Sequence, residues 1–245
     1  MHRSFYDRTR RQVRDLSSGP FRILLDIEVR RVQCRQCRAV RRERLALLAD
    51  NPFYTQRFAY YVGRPNEDRL LVERHGERTV AIICDGAGNG GRGGMAADLA
   101  IAELSRIAQA GFTDWMRALL DVDQLLKRQA QGGETTCVVV DISDSGECRG
   151  ASVGDSGAWM LPAGSAVRDL TAHQDRARLG SGHAHPVRFK AQLMGRLVLA
   201  TDGLFKYLQT ANIRTCAARG VDALIDSVRL KSGALQDDVA VILLQ

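Results

Sequence analysis

The chain has 245 residues, of which 45% are hydrophobic and 26% charged, and its formal net charge is +7. This composition is typical of soluble globular proteins and excludes disordered or fibrous ones. No apolar run approaches the roughly 20 residues that cross a bilayer, and the arginine-rich N-terminus lacks the apolar core of a secretory signal. These features predict a cytoplasmic protein without a membrane partner, with one large core and room for a small appendage.

The positive charge is concentrated at the N-terminus. Residues 1–57 contain 14 Arg and no Lys against 6 acidic residues, a net charge of +8. The rest of the chain carries 21 basic and 22 acidic residues, a net charge of −1. A basic head on a nearly neutral body predicts two parts, 1–57 and 58–245.

Within the basic head, 21–32 alternates like a strand and 41–50 has a helical pattern. Cys34 and Cys37 form a Cys-x-x-Cys pair, which supplies half of the four ligands that a structural zinc site needs. The remaining cysteines are expected to be reduced core thiols; they are Cys84, Cys137, Cys148 and Cys216.

Residues 1–63, with this cysteine pair, resemble the N-terminal zinc-binding region of bacterial insertion-sequence transposases. In those proteins a preceding Cys-x-x-Cys completes the zinc site. The resemblance implies a truncated transposase segment fused to the body, with DNA binding through the arginines as one function for it. A solvated basic appendage is the alternative that we favour, because a half-built zinc site cannot hold its fold.

Regular strand and helix patterns begin after Arg57. Short apolar, β-branched runs predict strands over 79–84, 135–142, 148–153, 157–161, 196–201 and 239–244, and 58–62 is a shorter candidate. Helical spacing predicts helices over 95–110, 113–131 and 203–230.

Three details of this pattern bear on the fold. Thr113 is a plausible N-cap for the second helix. The three strands between 135 and 161 are too close for parallel crossovers, so they are expected to be antiparallel neighbours. Residues 170–190 have little periodicity and predict a long loop or flap.

Helices grouped between antiparallel strands predict an α+β fold, a sandwich of sheets flanked by helices.

Acidic residues stand where these strands begin or end. Asp85-Gly86 follows 79–84, Asp202-Gly203 follows 196–201, and Asp237-Asp238 precedes 239–244. A fourth acidic pair, Glu67-Asp68, stands before the apolar pair Leu70-Leu71. Carboxylates gathered at one sheet edge would repel each other unless a divalent cation neutralised them, and oxygen ligands suit Mg²⁺ or Mn²⁺. Taken alone, however, an Asp-Gly pair is also an ordinary turn.

The same acidic residues belong to six short motifs. In chain order these are Arg64-Pro65-Asn66-Glu67-Asp68, Asp85-Gly86-Ala87-Gly88, Gly133-Glu134-Thr135-Thr136, Gly154-Asp155-Ser156, Thr201-Asp202-Gly203-Leu204 and Asp237-Asp238-Val239. Together they resemble the PPM family of metal-dependent phosphatases, the PP2C-like group, over about 58–245. The resemblance implies a four-layer αββα sandwich of antiparallel sheets flanked by helices.

The resemblance also implies a binding site for two Mn²⁺ or Mg²⁺ ions. Asp85 would bridge both ions, and the Gly86 carbonyl would bind one of them. Asp202 and Asp237 would complete the shell of the first ion, with Asp237 favoured over Asp238 as the ligand.

Further roles follow from the remaining motifs. Glu67 and Asp68 would hold the second ion, partly through water. Asp155 resembles the residue that binds a third, weaker metal in bacterial members. Arg64 would bind the substrate phosphate through a bidentate pair.

The implied activity is hydrolysis of phosphoserine and phosphothreonine in proteins, by attack of a water that bridges the two metals. The substrates would be targets of a Ser/Thr kinase, or an anti-sigma-factor antagonist, and the chain is expected to be a monomer. Ala87 stands where eukaryotic members have a histidine that is a candidate general acid. Its absence suggests the bacterial style, in which a metal-bound water or no group protonates the leaving alkoxide. His183 or His185 could substitute for it, although solvated loop histidines are the alternative that we favour.

Two other functions are weighed against this one. An inert phosphatase-like domain in a regulatory or DNA-binding fusion protein is the main alternative. Gly86-x-Gly88-x-x-Gly91 also fits a dinucleotide-binding fingerprint, but Asp85 would place a negative charge against the pyrophosphate.

Overall fold

The computed structural model describes residues 5–14, 23–33, 40–42, 45–48, 66–88, 91–231 and 233–245. The chain divides into two compact units, residues 1–64 and 65–245. Within the described ranges, no helix combines the length and the apolar character needed to cross a membrane. The predictions for Cys34, Cys37 and the strand 58–62 lie outside the described residues.

The N-terminal unit contains an antiparallel sheet in the order β1-β2-β3, formed by Phe5–Arg14, Leu24–Gln33 and Val40–Arg42. The register of β1 on β2 places Val13 and Val29 on the same face, and both side chains are buried. The predicted strand over 21–32 corresponds to β2.

Sequence reasoning failed at two other points in this unit. It missed β1, because arginines occupy several positions that would carry the apolar signal of a strand. The helix predicted over 41–50 is wrong: Val40–Arg42 is a strand, and 45–48 contain a turn in which the Leu48 amide donates to the Leu45 carbonyl at 2.9 Å.

The second unit is built from short antiparallel strands. In chain order they are β4 (Arg69–His75), β5 (Arg78–Cys84), β6 (Gly86–Ala87), β7 (Glu134–Thr135), β8 (Cys137–Ser143), β9 (Glu147–Val153), β10 (Gly157–Leu161), β11 (Arg168–Asp169), β12 (Val187–Gln192), β13 (Arg196–Ala200) and β14 (Val241–Leu244). One sheet has the order β12-β9-β8-β5-β4 and a second has the order β11-β10-β13-β14, while β6 and β7 form a separate pair.

The helices of this unit fall into two groups along the chain. They are α1 (Arg92–Gln109), α2 (Trp115–Gln129), α3 (Asp202–Phe205), a 3₁₀ turn (Thr210–Asn212), α4 (Ile213–Arg219) and α5 (Val221–Asp226). The predicted N-cap of α2 is wrong by one residue. Asp114 caps this helix, because its side chain accepts a hydrogen bond from the Arg117 amide at 3.2 Å.

Three apolar cores separate four layers. Alternate residues of β5 show the arrangement: Val80 and Ile82 pack with α1 and α2, whereas Ala81 and Ile83 pack against the second sheet. On the far side of the second sheet, Val198 joins a third core with residues of the C-terminal helices. The predicted α+β sandwich, with helices on both outer faces, is confirmed by these layers.

The chain changes sheets between β9 and β10. β8 and β9 pair as predicted, but β10 pairs with β13, so the expectation of three neighbouring strands is wrong. Gly154, at φ 98°, makes this change possible, because a Cβ there would lie 2.6 Å from Thr136 Cγ2. Asp155, which is exposed, therefore lies on the connection from one sheet to the other rather than in a hairpin of one of them.

The predicted loop over 170–190 is shorter than expected and is held in place. Residues 187–192 form β12, which pairs with β9. Before it, Leu179 exchanges two backbone hydrogen bonds with Thr135. The buried Asp123 of α2 accepts hydrogen bonds from the Gly180 and Gly182 amides at 2.8 and 3.0 Å. This carboxylate therefore fastens the loop to the helix layer.

Asp123→Ala should lower the free energy of unfolding by roughly 3 kcal/mol, because it leaves partly buried amides without an acceptor. Asp121→Ala is the matched control, since Asp121 is an exposed residue of the same helix, paired with Arg117. Asp121→Ala should lower the free energy of unfolding by less than about 1 kcal/mol. Urea denaturation of both variants tests this expectation, and equal losses would contradict the anchoring role of Asp123.

Candidate metal centre

The acidic residues of the sequence meet at one end of the sandwich. In the first sheet, Arg69 and Cys84 are register partners. Asp68 directly precedes Arg69 and Asp85 directly follows Cys84, so both aspartates lie at the same edge. In the second sheet, Ala200 pairs with Val241 at the end where Asp202 lies. These two edges come together, because Thr201 Oγ1 donates a hydrogen bond to Asp68 Oδ2 at 2.8 Å.

Three carboxylates form the tightest group. Oxygen atoms of Asp85, Asp155 and Asp202 all lie within 4.8 Å of one another. Asp237 lies beside this group, since Lys206 Nζ is 3.9 Å from Asp202 Oδ2 and 3.6 Å from Asp237 Oδ2. The structure thus brings the strand-end aspartates of both sheets together with the aspartate of the sheet-changing turn.

Glu67 and Asp68 form the buried side of the centre. The Glu67 amide donates to Asp238 Oδ2 at 3.2 Å, and the Asp68 amide donates to Asn66 Oδ1 at 2.7 Å. Glu67 Oε1 is buried and has no hydrogen-bond partner among the described residues. Asp238 therefore ties the two sheets together through one oxygen, whereas an oxygen of Glu67 is left available for a ligand.

Two glycines let the backbone close around Glu67. A Cβ on Gly86 would lie 2.5 Å from the Gly93 carbonyl carbon and 2.8 Å from the Glu67 carbonyl oxygen. A Cβ on Gly93 would overlap Glu67 Oε2. The first turn of α1 and the strand β6 can approach the acidic residues this closely because neither residue has a side chain.

The backbone of Asp85 is fixed by the neighbouring threonines. Its amide donates to Thr136 Oγ1 at 3.1 Å, and its carbonyl accepts from Thr135 Oγ1 at 2.9 Å. Thr136 Oγ1 also lies 2.6 Å from Ser156 Oγ. The two threonines of the Gly-x-Thr-Thr motif therefore position the aspartate through hydrogen bonds.

Burial and mutual repulsion raise the pKa values of the carboxyl groups. Burial, followed by the charges of Asp68, Asp202 and Asp155, raises the pKa of Asp85 to about 9. Burial likewise raises the pKa of Asp68 to about 7, although the hydrogen bond from Thr201 opposes the shift.

The pKa values of Asp202 and Asp238 are raised as well. Burial, then the charge of Asp237, raises the pKa of Asp202 to about 6, while Lys206 opposes the shift. Burial also raises the pKa of Asp238, and the hydrogen bond from the Glu67 amide works against it. In the absence of a cation, burial and mutual repulsion therefore disfavour the deprotonated form of these carboxyl groups.

These residues fit a hard divalent cation. The donors are oxygen atoms of carboxylates and carbonyls, which suit Mg²⁺ and Mn²⁺. The unpartnered Glu67 Oε1 and the raised pKa values of Asp85 and Asp68 are what a bound cation would relieve.

Among the described residues, His183 and His185 are not part of the group of metal-binding side chains. Arg64 lies outside the described residues. His185 is exposed and its Nδ1 lies 3.2 Å from Asp175, while His183 is exposed in the same loop. The sequence motif that contains Asp202 includes Thr201, but its hydrogen bond to Asp68 was not predicted. Lys206 was missed, although it follows Asp202 by one helical turn.

The fold and the acidic centre define a PP2C-like phosphatase domain. The family model described as Stage II sporulation protein E (SpoIIE) matches residues 75–245, and the chain belongs to this family. No curated protein sequence matches the chain.

Solved structures of bacterial phosphatases share the fold at low sequence identity. A bacterial serine phosphatase is 20% identical with a TM-score of 0.63, covering 74% of this chain and 91% of its own. Serine/threonine phosphatase Stp1 from Staphylococcus aureus is 18% identical with a TM-score of 0.59, covering 74% and 89%. The catalytic domain of the phosphatase PstP, in complex with two manganese ions, is 19% identical with a TM-score of 0.61, covering 74% and 92%. The predicted PP2C-like fold is confirmed.

Thr201→Val should weaken Mn²⁺ binding about tenfold or more, because Asp68 loses the hydroxyl that orients it. Thr201→Ser keeps the hydroxyl and should stay within about threefold of the wild type. Isothermal titration calorimetry with Mn²⁺ compares the two variants. Equal affinities for Thr201→Val and Thr201→Ser would show that the hydroxyl does not matter.

Without metal, the protein should lose stability as the pH rises from 5 to 8. The folded-state pKa values of Asp85, Asp68 and Asp202 lie above the ordinary value of 3.8, so the folded state holds protons that the unfolded state releases. Stability therefore falls as the pH rises from the unfolded pKa values through the folded ones. Thermal unfolding in EDTA measures this slope, which Asp85→Asn should flatten. A melting temperature that rises with pH would contradict the account.

Proposed function

We propose that this protein is a metal-dependent phosphoprotein phosphatase that hydrolyses phosphoserine and phosphothreonine. The observation that carries the proposal is the meeting of Asp85, Asp155 and Asp202, whose oxygens lie within 4.8 Å of one another at one end of the sandwich. Membership of the SpoIIE family and the fold shared with bacterial serine/threonine phosphatases support it.

The proposed ligands divide between two cations. Asp85 would be shared, with the Gly86 carbonyl beside it; Asp202 and Asp237 would serve one ion. Glu67 and Asp68 would serve the other, and Asp155 would contact a third, weaker ion. Mn²⁺ is supported by the two manganese ions in the PstP complex, and Mg²⁺ has the same preference for oxygen ligands.

Bound divalent cations would lower the pKa of a water molecule and stabilise the charge that develops on the phosphoryl oxygens. The protein's contribution is to hold the carboxylates deprotonated and close together. Thr135 and Thr136 fix the backbone of Asp85, and Thr201 fixes Asp68. Arg64 remains the proposed contact for the substrate phosphate.

Covalent catalysis by a cysteine is disfavoured. Cys84 and Cys137 are fully buried, and the neighbouring Cys137 thiol and burial raise the pKa of Cys84 above its usual range. Burial raises the pKa of Cys148 to about 11. A thiolate nucleophile needs the opposite conditions, namely exposure and a lowered pKa. A water nucleophile therefore agrees better with the burial of these three cysteines.

The proposed substrates are phosphorylated proteins, including targets of a Ser/Thr kinase, and we expect a cytoplasmic monomer. DNA binding by the N-terminal unit gains little support from its described arginines. Arg8 and Arg30 lie beside Glu28, and Arg31 pairs with Asp7, so acidic partners already offset part of their charge. The transposase origin of this segment stays a prediction.

Asp85→Ala and Asp202→Ala should each reduce Mn²⁺-dependent hydrolysis of a phosphothreonine peptide by roughly 1,000-fold, because each removes a proposed metal ligand. Asp144→Ala is the control, since Asp144 is exposed and pairs with Arg74. Phosphate release is measured with Mn²⁺ and with EDTA, beside a phosphotyrosine peptide. Full activity in either variant, or equal activity in EDTA, would disprove the proposed function.

A further inference from the structure

A lysine ammonium lies between two of the proposed metal ligands. Lys206 Nζ is 3.6 Å from Asp237 Oδ2 and 3.9 Å from Asp202 Oδ2. Asp202 comes from the end of β13, whereas Asp237 comes from the approach to β14. The ammonium therefore stands beside both carboxylates that the proposed function assigns to one cation.

The backbone fixes this placement. The Lys206 amide donates to the Asp202 carbonyl at 2.8 Å, which continues the turn of α3 by one residue. Residues four apart on a helical turn project from the same face, so the side chains of Lys206 and Asp202 are neighbours. Asp237 reaches the same ammonium because β13 and β14 are paired at this edge.

A protonated lysine and a divalent cation are competitors at such a pair of carboxylates. The ammonium has three donors and no lone pair, so it cannot become a metal ligand. It neutralises part of the charge that attracts the metal, and it repels a metal ion placed beside it. Binding of a divalent cation to Asp202 and Asp237 therefore requires the ammonium to move away.

The side chain has room to move. More than half of the Lys206 side chain is exposed (54%), against 26% for each carboxylate. The ring centroid of Tyr207 lies 5.5 Å from Nζ, which is close enough for a cation–π contact outside the acidic pair. Displacement towards solvent would therefore leave the ammonium hydrated.

We propose that Lys206 is a resident counter-cation of the metal centre. It holds Asp202 and Asp237 together before metal enters, and a divalent cation must displace it, so it lowers the affinity of the centre for that cation. This inference rests on the proposed function in one respect, because it takes Asp202 and Asp237 to be metal ligands. It makes Lys206 a residue that sets the metal concentration at which the protein works.

The test compares Mn²⁺ affinity in charge variants of the full chain. Free Mn²⁺ is measured by its electron paramagnetic resonance signal, at one pH and one ionic strength. Lys206→Gln removes the charge and should bind Mn²⁺ about threefold to tenfold more tightly. Lys206→Arg keeps the charge and should stay within about twofold of the wild type.

A matched control removes the same charge elsewhere. Lys190 is an exposed residue of β12 whose Nζ lies 2.7 Å from Glu147 Oε1. Lys190→Gln should leave the Mn²⁺ affinity within about twofold of the wild type. Raising the salt concentration should reduce the difference in Mn²⁺ affinity between the wild type and Lys206→Gln, because salt screens a partly exposed charge.

A second measurement follows the metal-free protein. In EDTA, Lys206→Gln should melt several degrees below the wild type, because the two carboxylates lose their counter-cation. With saturating Mn²⁺ the difference should shrink, since the metal replaces the ammonium in both proteins. A Lys206→Gln protein that loses the same number of degrees with and without Mn²⁺ would overturn the inference.

The outcomes separate this inference from the proposed function. Equal Mn²⁺ affinities for the wild type and Lys206→Gln, or weaker binding by the variant, would disprove competition between the Lys206 ammonium and the metal. Either result would leave the phosphatase proposal standing. If neither protein binds Mn²⁺, both proposals fail together.

Discussion

Electrostatic repulsion among partly buried carboxylates is the constraint on which the rest of this molecule depends. Asp68, Asp85 and Asp202 have raised pKa values because they are removed from water and face one another. Such an arrangement opposes folding unless protons, a lysine or a divalent cation offset the charge. A protein that keeps it must therefore hold the carboxylates by other means, and the sandwich supplies these means from every layer around the centre.

The supporting contacts come from both sheets. Thr201 accepts a hydrogen bond from the Ala240 amide at 3.0 Å and donates one to Asp68, so a single buried hydroxyl links the ends of β13, β14 and β4. Asp238 links the same edges through the Glu67 amide. The sheet-changing turn at Gly154 then brings the exposed Asp155 carboxylate close to Asp85 and Asp202. Apolar cores on both faces of each sheet make these edges rigid enough to keep like charges close.

Much of the centre is predictable from sequence because its aspartates directly flank apolar, β-branched runs. Asp85 and Asp202 follow buried strands whose bounds are clear, and the order of the motifs predicts the sandwich. The pairing partner of each strand is harder to predict. Short spacing shows that the chain reverses its direction, but it does not show which sheet the next strand joins, and β10 joins the second sheet by pairing with β13. Asp123 was missed because the amides that it accepts from lie more than 50 residues away, where periodicity carries no information. The spacing of four residues between Asp202 and Lys206 is visible in the sequence. It does not reveal the role of Lys206, because that role also depends on Asp237, which is distant in the sequence but close in the fold.

The proposed function requires these carboxylates to hold divalent cations in positions that allow phosphate hydrolysis. Anomalous X-ray scattering at the manganese absorption edge, from crystals grown with Mn²⁺, tests it most directly. Two strong manganese peaks are expected, with Asp85 contacting both, Asp202 and Asp237 contacting one, and Lys206 turned away from the acidic pair. Absence of manganese from this end of the sandwich, or manganese bound there without Asp85, would contradict the account.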